Sequence, residues 1–350
     1  MIKPHNNYSS MVNNKEVGMA CGAQESIPSI RLYEYEKACG ISSDITEYPE
    51  KFCLNDVEMG IGIKNQGAIG ACVACATSTA IEAIILRDLL GMKEGEPITA
   101  ELLKEKEKDL FGYDEISEGY TYGSCRQDNS RSDGMIPTDA LKYLTEKGTV
   151  PKKLFNYLNE MPEIKNIVEK YPELKDDALD YRIKGYVTMG GETNAIRRAM
   201  KDALMRYRVP LVAVAPRYFG ERHCICVVGW DDVKDTWLIK NSWGEEWGDN
   251  GISGIRKDAI GAEVYLLLNN EIELPFEDVK EDDWFYSAVK HVYMSDIMNG
   301  RTETTFNPNE PMTRAEIATV ISRLMKKIDE RFENFNKILE EKNVFDNYKI

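Results

Sequence analysis

Cys72, His223 and Asn241 have the side-chain types that nucleophilic catalysis by a thiol requires. Such chemistry needs a thiolate that attacks a carbonyl carbon, an imidazole that holds the thiol proton, and a group that orients the imidazole. Cys72 follows a glycine-rich segment and opens an apolar run, so we expect it at the start of a helix. There the unpaired backbone N–H groups and the helix dipole favour a thiolate.

Further residues supply the remaining parts of such a centre. Gln66, six residues before Cys72, can donate its side-chain amide to an oxyanion together with the backbone N–H of Cys72. His223 opens the strand-like run HCICVVGW, where alternation turns it towards a cleft and the two cysteines after it towards the core. Asn241 can accept from the imidazole and fix its tautomer, and Trp243 can shield that bond from water.

Three segments resemble the motifs of papain-like cysteine peptidases. KNQGAIGACVACAT is similar to the family motif KNQGxCGSCWAFS, HCICVVGW to HAVxxVGY, and IKNSWGEEWGDNG to IKNSWGxxWGxxG. The third is the most specific, because an orienting amide and a shielding indole at fixed spacing seldom recur by chance. His223 follows Cys72 by 151 positions, close to the roughly 130–150 typical of the family.

The resemblance extends over about residues 48–270 and implies a cysteine endopeptidase that acts through an acyl-thioester. Cys72 would be the nucleophile, and His223 would act as base and then as acid. It implies a peptide or protein substrate and no cofactor. Ile69 stands where the family has a disulfide-forming cysteine, and Val73 where it has an aromatic residue, but neither change removes a catalytic group. PRYFGER leaves little room for the usual loop before His223, which alters the shape of the substrate cleft, so we make no prediction of side-chain specificity.

The surrounding sequence indicates the elements that position these residues. Helical patterns occupy 72–90, 138–148 and 193–204, and strand patterns occupy 181–189, 209–216, 223–230 and 235–243. We therefore predict an α+β, papain-like fold in which a helical and a β-rich subdomain meet at a cleft.

Two other interpretations remain. One is a four-cysteine zinc site, formed by Cys72, Cys75, Cys224 and Cys226. That spacing is poor for a structural zinc and leaves Gln66 and Asn241 unexplained, so we predict no metal. The other is a catalytically silent peptide-binding protein on a peptidase scaffold. The presence of every catalytic residue argues against it.

Residues 271–326 resemble a single S-layer homology repeat, with landmarks that include FEDV, an Asn-Gly turn, TFNPN and MTRAE. Thr313 and Glu316 predict a helix capping box. The resemblance implies binding of an anionic cell-wall polysaccharide, with Arg314 near a helix N-terminus as the contact.

Residues 327–350 read as a terminal amphipathic helix. A heptad-like spacing runs through Ile321, Met325, Ile328, Phe332, Phe335 and Leu339. We predict a homo-oligomer held through residues 271–350, most simply a trimer. The alternative is a helix that packs onto its own module.

Four segments result: an N-terminal extension at 1–47 that could be a prosegment, a peptidase domain at 48–270, the repeat at 271–326 and the helix at 327–350. The net charge of -15 disfavours binding to nucleic acid or to anionic membranes, and no apolar run predicts a membrane span. No signal peptide is visible. The repeat favours a cell-surface or cell-wall location, with a cytoplasmic or phage-associated protein as the alternative.

Overall fold

A computed structural model describes most of the chain between residues 47 and 326, and residue 23 before it. The described ranges are 47–106, 110, 113–126, 134–156, 167–189, 193–216, 218–261, 263–269, 274–280, 282–294 and 297–326. The predicted helix at 327–350 and nearly all of the extension at 1–47 lie outside them. The described residues fall into two compact units, a larger one ending along the chain at Glu271 and a smaller one after it.

Helices form most of the first half of the larger unit, and strands form most of its second half. The helices of this unit are α1 (Cys72–Leu89), α2 (Ala100–Glu105), α3 (Glu118–Cys125), α4 (Pro137–Glu146), α5 (Ile167–Lys170), α6 (Leu174–Leu179) and α7 (Thr193–Tyr207). The strands are β1 (Lys51–Cys53), β2 (Gly185–Thr188), β3 (Leu211–Ala215), β4 (His223–Asp231), β5 (Thr236–Lys240), β6 (Ile252–Arg256) and β7 (Val264–Leu268). This is the α+β, papain-like arrangement that the sequence predicts.

The seven strands form one antiparallel sheet in the order β2-β7-β3-β4-β5-β6, with β1 added to β4. The close approach of β1 depends on Gly229, since a Cβ atom at that residue would lie 2.2 Å from the carbonyl oxygen of Phe52. All nine residues of β4 are buried. The sequence predicted that one side of β4 faces a cleft and the other the core. The structure instead buries the side chains on both faces of the strand.

Helix α1 is the central element of the larger unit. It begins at Cys72 as predicted, and most of its residues are buried, which explains its nearly uninterrupted apolar sequence. It ends before Gly91, which has a φ of 65° and so supplies the left-handed residue that commonly follows a helix.

Three predicted strands are shorter in the structure, and one of them, predicted at 235–243, is β5 at Thr236–Lys240. In the predicted strand at 181–189, β2 begins only at Gly185. In the predicted strand at 209–216, β3 begins at Leu211, directly after Pro210. Proline has no N–H to donate to a sheet ladder, so the shortened start of β3 follows from the covalent structure of that residue.

A buried carboxylate holds α1 against its neighbours. Glu82 Oε1 accepts from Lys64 Nζ at 2.7 Å and from the backbone N–H of Ile116 at 2.8 Å, and its Oε2 accepts from Ile61 N at 2.9 Å. Burial alone would lower the pKa of Lys64, but the charges of Glu82 and Glu118 outweigh it and raise that pKa above its usual range. Lys64 is therefore charged within the core.

The smaller unit contains α8 (Tyr286–Met294) and a helix α9 that is described over 314–326. Phe276, Val279 and Val289 form its core. The capping box is confirmed: the Glu316 N–H donates to Thr313 Oγ1 at 3.2 Å, and Glu316 Oε2 accepts from the Thr313 N–H at 2.7 Å. No helix in the described part of the chain combines the length and the apolar character that crossing a membrane demands.

Candidate active site

Cys72 is the first residue of α1. The preceding residue, Ala71, provides no side-chain cap, and the first helical hydrogen bond runs from Cys75 N to Ala71 O at 3.0 Å. The N–H groups of the first turn therefore receive no cap from the Ala71 side chain, and they point towards the N-terminal end of the helix, where Cys72 lies. This position stabilises a thiolate and also provides a backbone donor for an oxyanion.

Gln66 is tied to the segment that carries the other predicted site residues. Its backbone N–H donates to Ser242 O at 2.9 Å, and its side-chain Oε1 accepts from Ser242 Oγ at 2.5 Å. Its Nε2 donates to Ile69 O at 2.8 Å. These bonds fix the orientation of the amide, so that its N–H side faces the loop leading into Cys72. Ser242 has this supporting role, which the sequence analysis missed.

The hydrogen bonds of Asn241 determine the protonation of the imidazole. Its Oδ1 accepts the backbone N–H of Ser242 at 2.8 Å and lies 2.7 Å from His223 Nε2. Because this oxygen can only accept, Nε2 must carry the hydrogen and Nδ1 is the basic nitrogen of the neutral ring. His223 Nδ1 is buried without a hydrogen-bond partner in the described residues, which leaves it available for a thiol proton.

An aromatic wall surrounds the imidazole. The Trp243 ring lies 4.8 Å from that of His223, and Phe219 packs edge-on against both rings at 4.9 and 5.1 Å. Trp243 is 5% exposed and Phe219 is 1% exposed, so water has little access to the bond between His223 and Asn241. The sequence analysis predicted the shielding by Trp243 and missed Phe219, although an aromatic residue four positions before His223 was the available signal.

Burial dominates the electrostatics of the site. It lowers the pKa of His223 to about 4, against the opposing effect of the hydrogen bond that His223 donates to Asn241. Burial also raises the pKa of Cys75 and Cys224 well above the usual range, and that of Cys226 to about 12. At neutral pH these three cysteines are thiols and His223 is a neutral base.

The described cysteines do not form a metal site. Cys53, Cys72, Cys75, Cys125, Cys224 and Cys226 are all reduced. Among the described residues, no group of three or more histidine, cysteine, aspartate or glutamate side chains is placed to hold a metal ion. Cys226 instead donates its thiol hydrogen to Ala76 O at 3.2 Å, across the contact between β4 and α1.

In the smaller unit, Arg314 is exposed at the first residue of α9. It is not among the residues that line a cavity of about 390 Å³ in this unit, whereas Arg301 and Arg323 are. Arg301 is engaged by Glu316, while Arg323 has no salt bridge within the described chain. The structure thus offers Arg323 as a second candidate contact for an anion.

Comparison with known proteins supports both resemblances. Residues 115–266 match the model of the papain family of cysteine proteases, and residues 275–318 match that of the S-layer homology domain. Chymopapain from Carica papaya is 24% identical over 61% of this chain and 57% of its own length. Procathepsin L from Rattus norvegicus is 26% identical over 61% of this chain and 60% of its own. The chain therefore spans less than two thirds of the length of these relatives.

Solved structures show the same fold. Xylellain, a cysteine protease from Xylella fastidiosa, aligns with a TM-score of 0.54 and 18% identity over 73% of this chain and 97% of that one. Digestive procathepsin L2 from Tenebrio molitor larval midgut aligns with a TM-score of 0.50 and 19% identity over 76% and 83%. The chain thus has the papain-like fold and, in sequence, is similar to the papain family of cysteine proteases over residues 115–266 and to the S-layer homology domain over residues 275–318.

Because His223 is buried, we expect the free energy of unfolding to depend on pH. An unfolded histidine titrates near 6.5 and the folded one at about 4, so the unfolded chain binds more protons between these values and the free energy of unfolding falls as the pH is lowered through them. His223 alone should account for about 3 kcal/mol of that loss. Urea titrations of the Cys72→Ala protein between about pH 4 and 7 measure the effect.

The matched control is Cys72→Ala combined with His223→Gln, which keeps a donor for Asn241 and cannot titrate. Its free energy of unfolding should decline less steeply over the same pH range. Equal slopes for the two proteins would show that His223 is not held neutral by burial.

Proposed function

We propose that the larger unit hydrolyses peptide bonds in unstructured peptides or proteins as a cysteine endopeptidase. The observation that carries this proposal is the double acceptance by Asn241 Oδ1, at 2.8 Å from Ser242 N and 2.7 Å from His223 Nε2. It assigns the proton to Nε2 and leaves Nδ1 as the base that a thiol nucleophile requires.

In the proposed reaction, His223 Nδ1 holds the proton of the Cys72 thiol while the sulfur attacks the scissile carbonyl carbon. The backbone N–H of Cys72 and the amide of Gln66 donate to the oxygen that becomes negative. His223 then gives its proton to the leaving amine, and an acyl-thioester forms. Water, deprotonated by His223, hydrolyses the thioester and restores the thiol.

Removing the nucleophile tests the assignment. Cys72→Ala should reduce kcat/KM for a fluorogenic peptide by at least about 10³-fold, with an unchanged circular dichroism spectrum because the residue is small. Cys125→Ala, which removes another described thiol, should keep wild-type activity within about twofold.

An epoxide that alkylates active thiols should label Cys72 before Cys75, Cys224 or Cys226, whose thiols stay protonated at neutral pH. Wild-type activity in Cys72→Ala, or preferential labelling of another cysteine, would overturn the mechanism. A wild-type protein that binds peptides and hydrolyses none would favour the silent binding protein instead.

We also propose that residues 1–47 form a prosegment or lid that precedes a peptidase domain beginning near Tyr48. Cys72 and His223 are both 0% exposed, so substrate access requires that something be displaced. Ala23 pairs with Met135 in a parallel bridge and is 6% exposed, which supports a position of this segment on the larger unit. Tyr48 itself packs edge-on against Trp230 with ring centroids 6.4 Å apart and belongs with the domain.

A shortened chain that begins at Tyr48 should therefore hydrolyse the fluorogenic peptide several-fold faster than the full chain. The reason is that the donors that would hold the segment are freed for substrate. The two chains are compared at equal concentrations of sites titrated with the epoxide. A shortened chain that folds and shows no gain would refute the prosegment.

We propose that an anionic cell-wall polysaccharide binds to residues 271–350 and tethers the peptidase at the cell surface. Arg314 at the start of α9 and Arg323 in the neighbouring cavity support this proposal, because both are cations without a salt bridge within the described chain. The same helix exposes an apolar stripe at Ile317, Ile321 and Met325, which are 45%, 50% and 58% exposed. We infer that a homo-oligomer, most simply a trimer, covers this stripe.

Two kinds of variant separate binding from self-association. Arg314→Ala and Arg323→Ala should each weaken binding of an anionic wall polymer about 10- to 100-fold, while Ile321→Glu should turn the oligomer into a monomer in light scattering. Lys104→Ala, which removes an exposed cation of the larger unit, is the control for charge. A wild-type chain that is monomeric at about tens of micromolar, or polymer binding that neither arginine affects, would contradict the respective proposal.

A further inference from the structure

The first turns of α1 carry a second thiol that the proposed mechanism does not use. Cys75 lies three positions after Cys72 and is 1% exposed. The papain-family motif quoted above has phenylalanine at this position. Together the two residues form a Cys-x-x-Cys sequence at a helix start, where the helix dipole favours the thiolate of the first.

Cys72 and Cys75 lie less than one turn apart at the start of α1, so their side chains are neighbours on the helix surface. Residues three apart on a helix have Cβ atoms about 5–6 Å apart, and a disulfide needs about 3.5–4.5 Å. The difference can come from the first turn, because the N–H groups before that of Cys75 have no intrahelical acceptor and Ala71 supplies no side-chain cap. The turn can therefore tighten without breaking the hydrogen bonds of the later turns.

The two thiols differ in how readily a peroxide oxidises them, because the thiolate is the reactive form. Burial raises the pKa of Cys75 well above its usual range, the charge of Glu118 raises it further and that of Lys64 opposes the shift, so Cys75 stays protonated. Cys72 lies at the positive end of the helix, where a thiolate is stabilised. Cys72 is thus the sulfur that an oxidant attacks, and Cys75 is the neighbour that can then react with it. Both are reduced in the structure.

We propose that Cys72 and Cys75 form a reversible redox pair that switches the peptidase off under a peroxide and on again under a dithiol reductant. The proposal rests on the proposed function, because Cys72 is its nucleophile.

The peroxide takes two electrons from the Cys72 thiolate, which gives a sulfenic acid and hydroxide. The Cys75 sulfur then attacks Cys72 Sγ, the S–S bond forms, and the S–O bond breaks. The Cys75 proton leaves with the hydroxyl group as water. A dithiol returns two electrons and restores both thiols.

Peptide mapping of the full chain after hydrogen peroxide treatment tests the pairing without an activity measurement. The tryptic peptide 65–87 contains Cys72 and Cys75 and no other cysteine, so their disulfide makes it lighter by two hydrogens. Peptide 223–234 contains Cys224 and Cys226, so a bond from Cys72 to either would appear as a cross-link between two peptides. We expect the lighter peptide. A cross-link or an overoxidised Cys72 in the wild-type chain would overturn the proposal.

Activity supplies the second readout. Peroxide should reduce wild-type hydrolysis more than tenfold, and dithiothreitol should restore at least about half of it, because the disulfide protects Cys72 from further oxidation. Cys75→Ala should lose activity to the same extent and fail to recover, while Cys224→Ala, which removes the other buried thiol near Cys72, should recover as the wild type does. Full recovery of Cys75→Ala would refute the pair. A chain that forms the disulfide but has no activity before oxidation would refute the peptidase instead.

Discussion

The carboxylate of Glu82 is the interaction on which the geometry of the site depends. It is fully buried and accepts hydrogen bonds from Lys64, Ile61 and Ile116. The first two residues lie in a segment that precedes α1 along the chain, and Ile116 lies in one that follows it. A buried charge that loses its partner costs about 3–5 kcal/mol, so these segments are not free to move relative to the helix. Lys64 is two residues before Gln66, and Glu82 is on the helix that begins at Cys72. The ion pair therefore fixes the amide donor relative to the thiol.

The segment that contains Lys64 also helps to position the imidazole of His223. Gly244 N donates to Lys64 O at 3.0 Å, and Gln66 N donates to Ser242 O at 2.9 Å, so residues 64–66 run antiparallel to 242–244. Asn241, the residue directly before this pairing, accepts a hydrogen bond from His223. The proposed oxyanion donor, nucleophile and base thus lie on three elements, and residues 64–66 help to position all three. Preorganisation of this kind is what electrostatic stabilisation of an oxyanion requires.

Sequence patterns predicted the parts of this arrangement that local chemistry determines. The start of α1, the end of that helix before Gly91, and the strand that begins at His223 all follow from periodicity and from capping preferences. The patterns did not predict Glu82, because its partners lie 18 and 34 positions away and a single acid in an apolar helix resembles a solvent-facing residue. Phe219 was missed for the same reason, since its role depends on the approach of Trp243, which is 24 positions away along the chain.

Burial explains why one thiol among several can act. It lowers the pKa of His223 and keeps the imidazole neutral, and it raises the pKa of Cys75, Cys224 and Cys226 and keeps those sulfurs protonated. Exposure does not single out Cys72, which is as buried as Cys224. What distinguishes Cys72 is its position at the first residue of a helix without a side-chain cap, where backbone N–H groups and the helix dipole favour the anion. In the proposed mechanism the backbone therefore selects the nucleophile, and burial keeps the neighbouring thiols protonated.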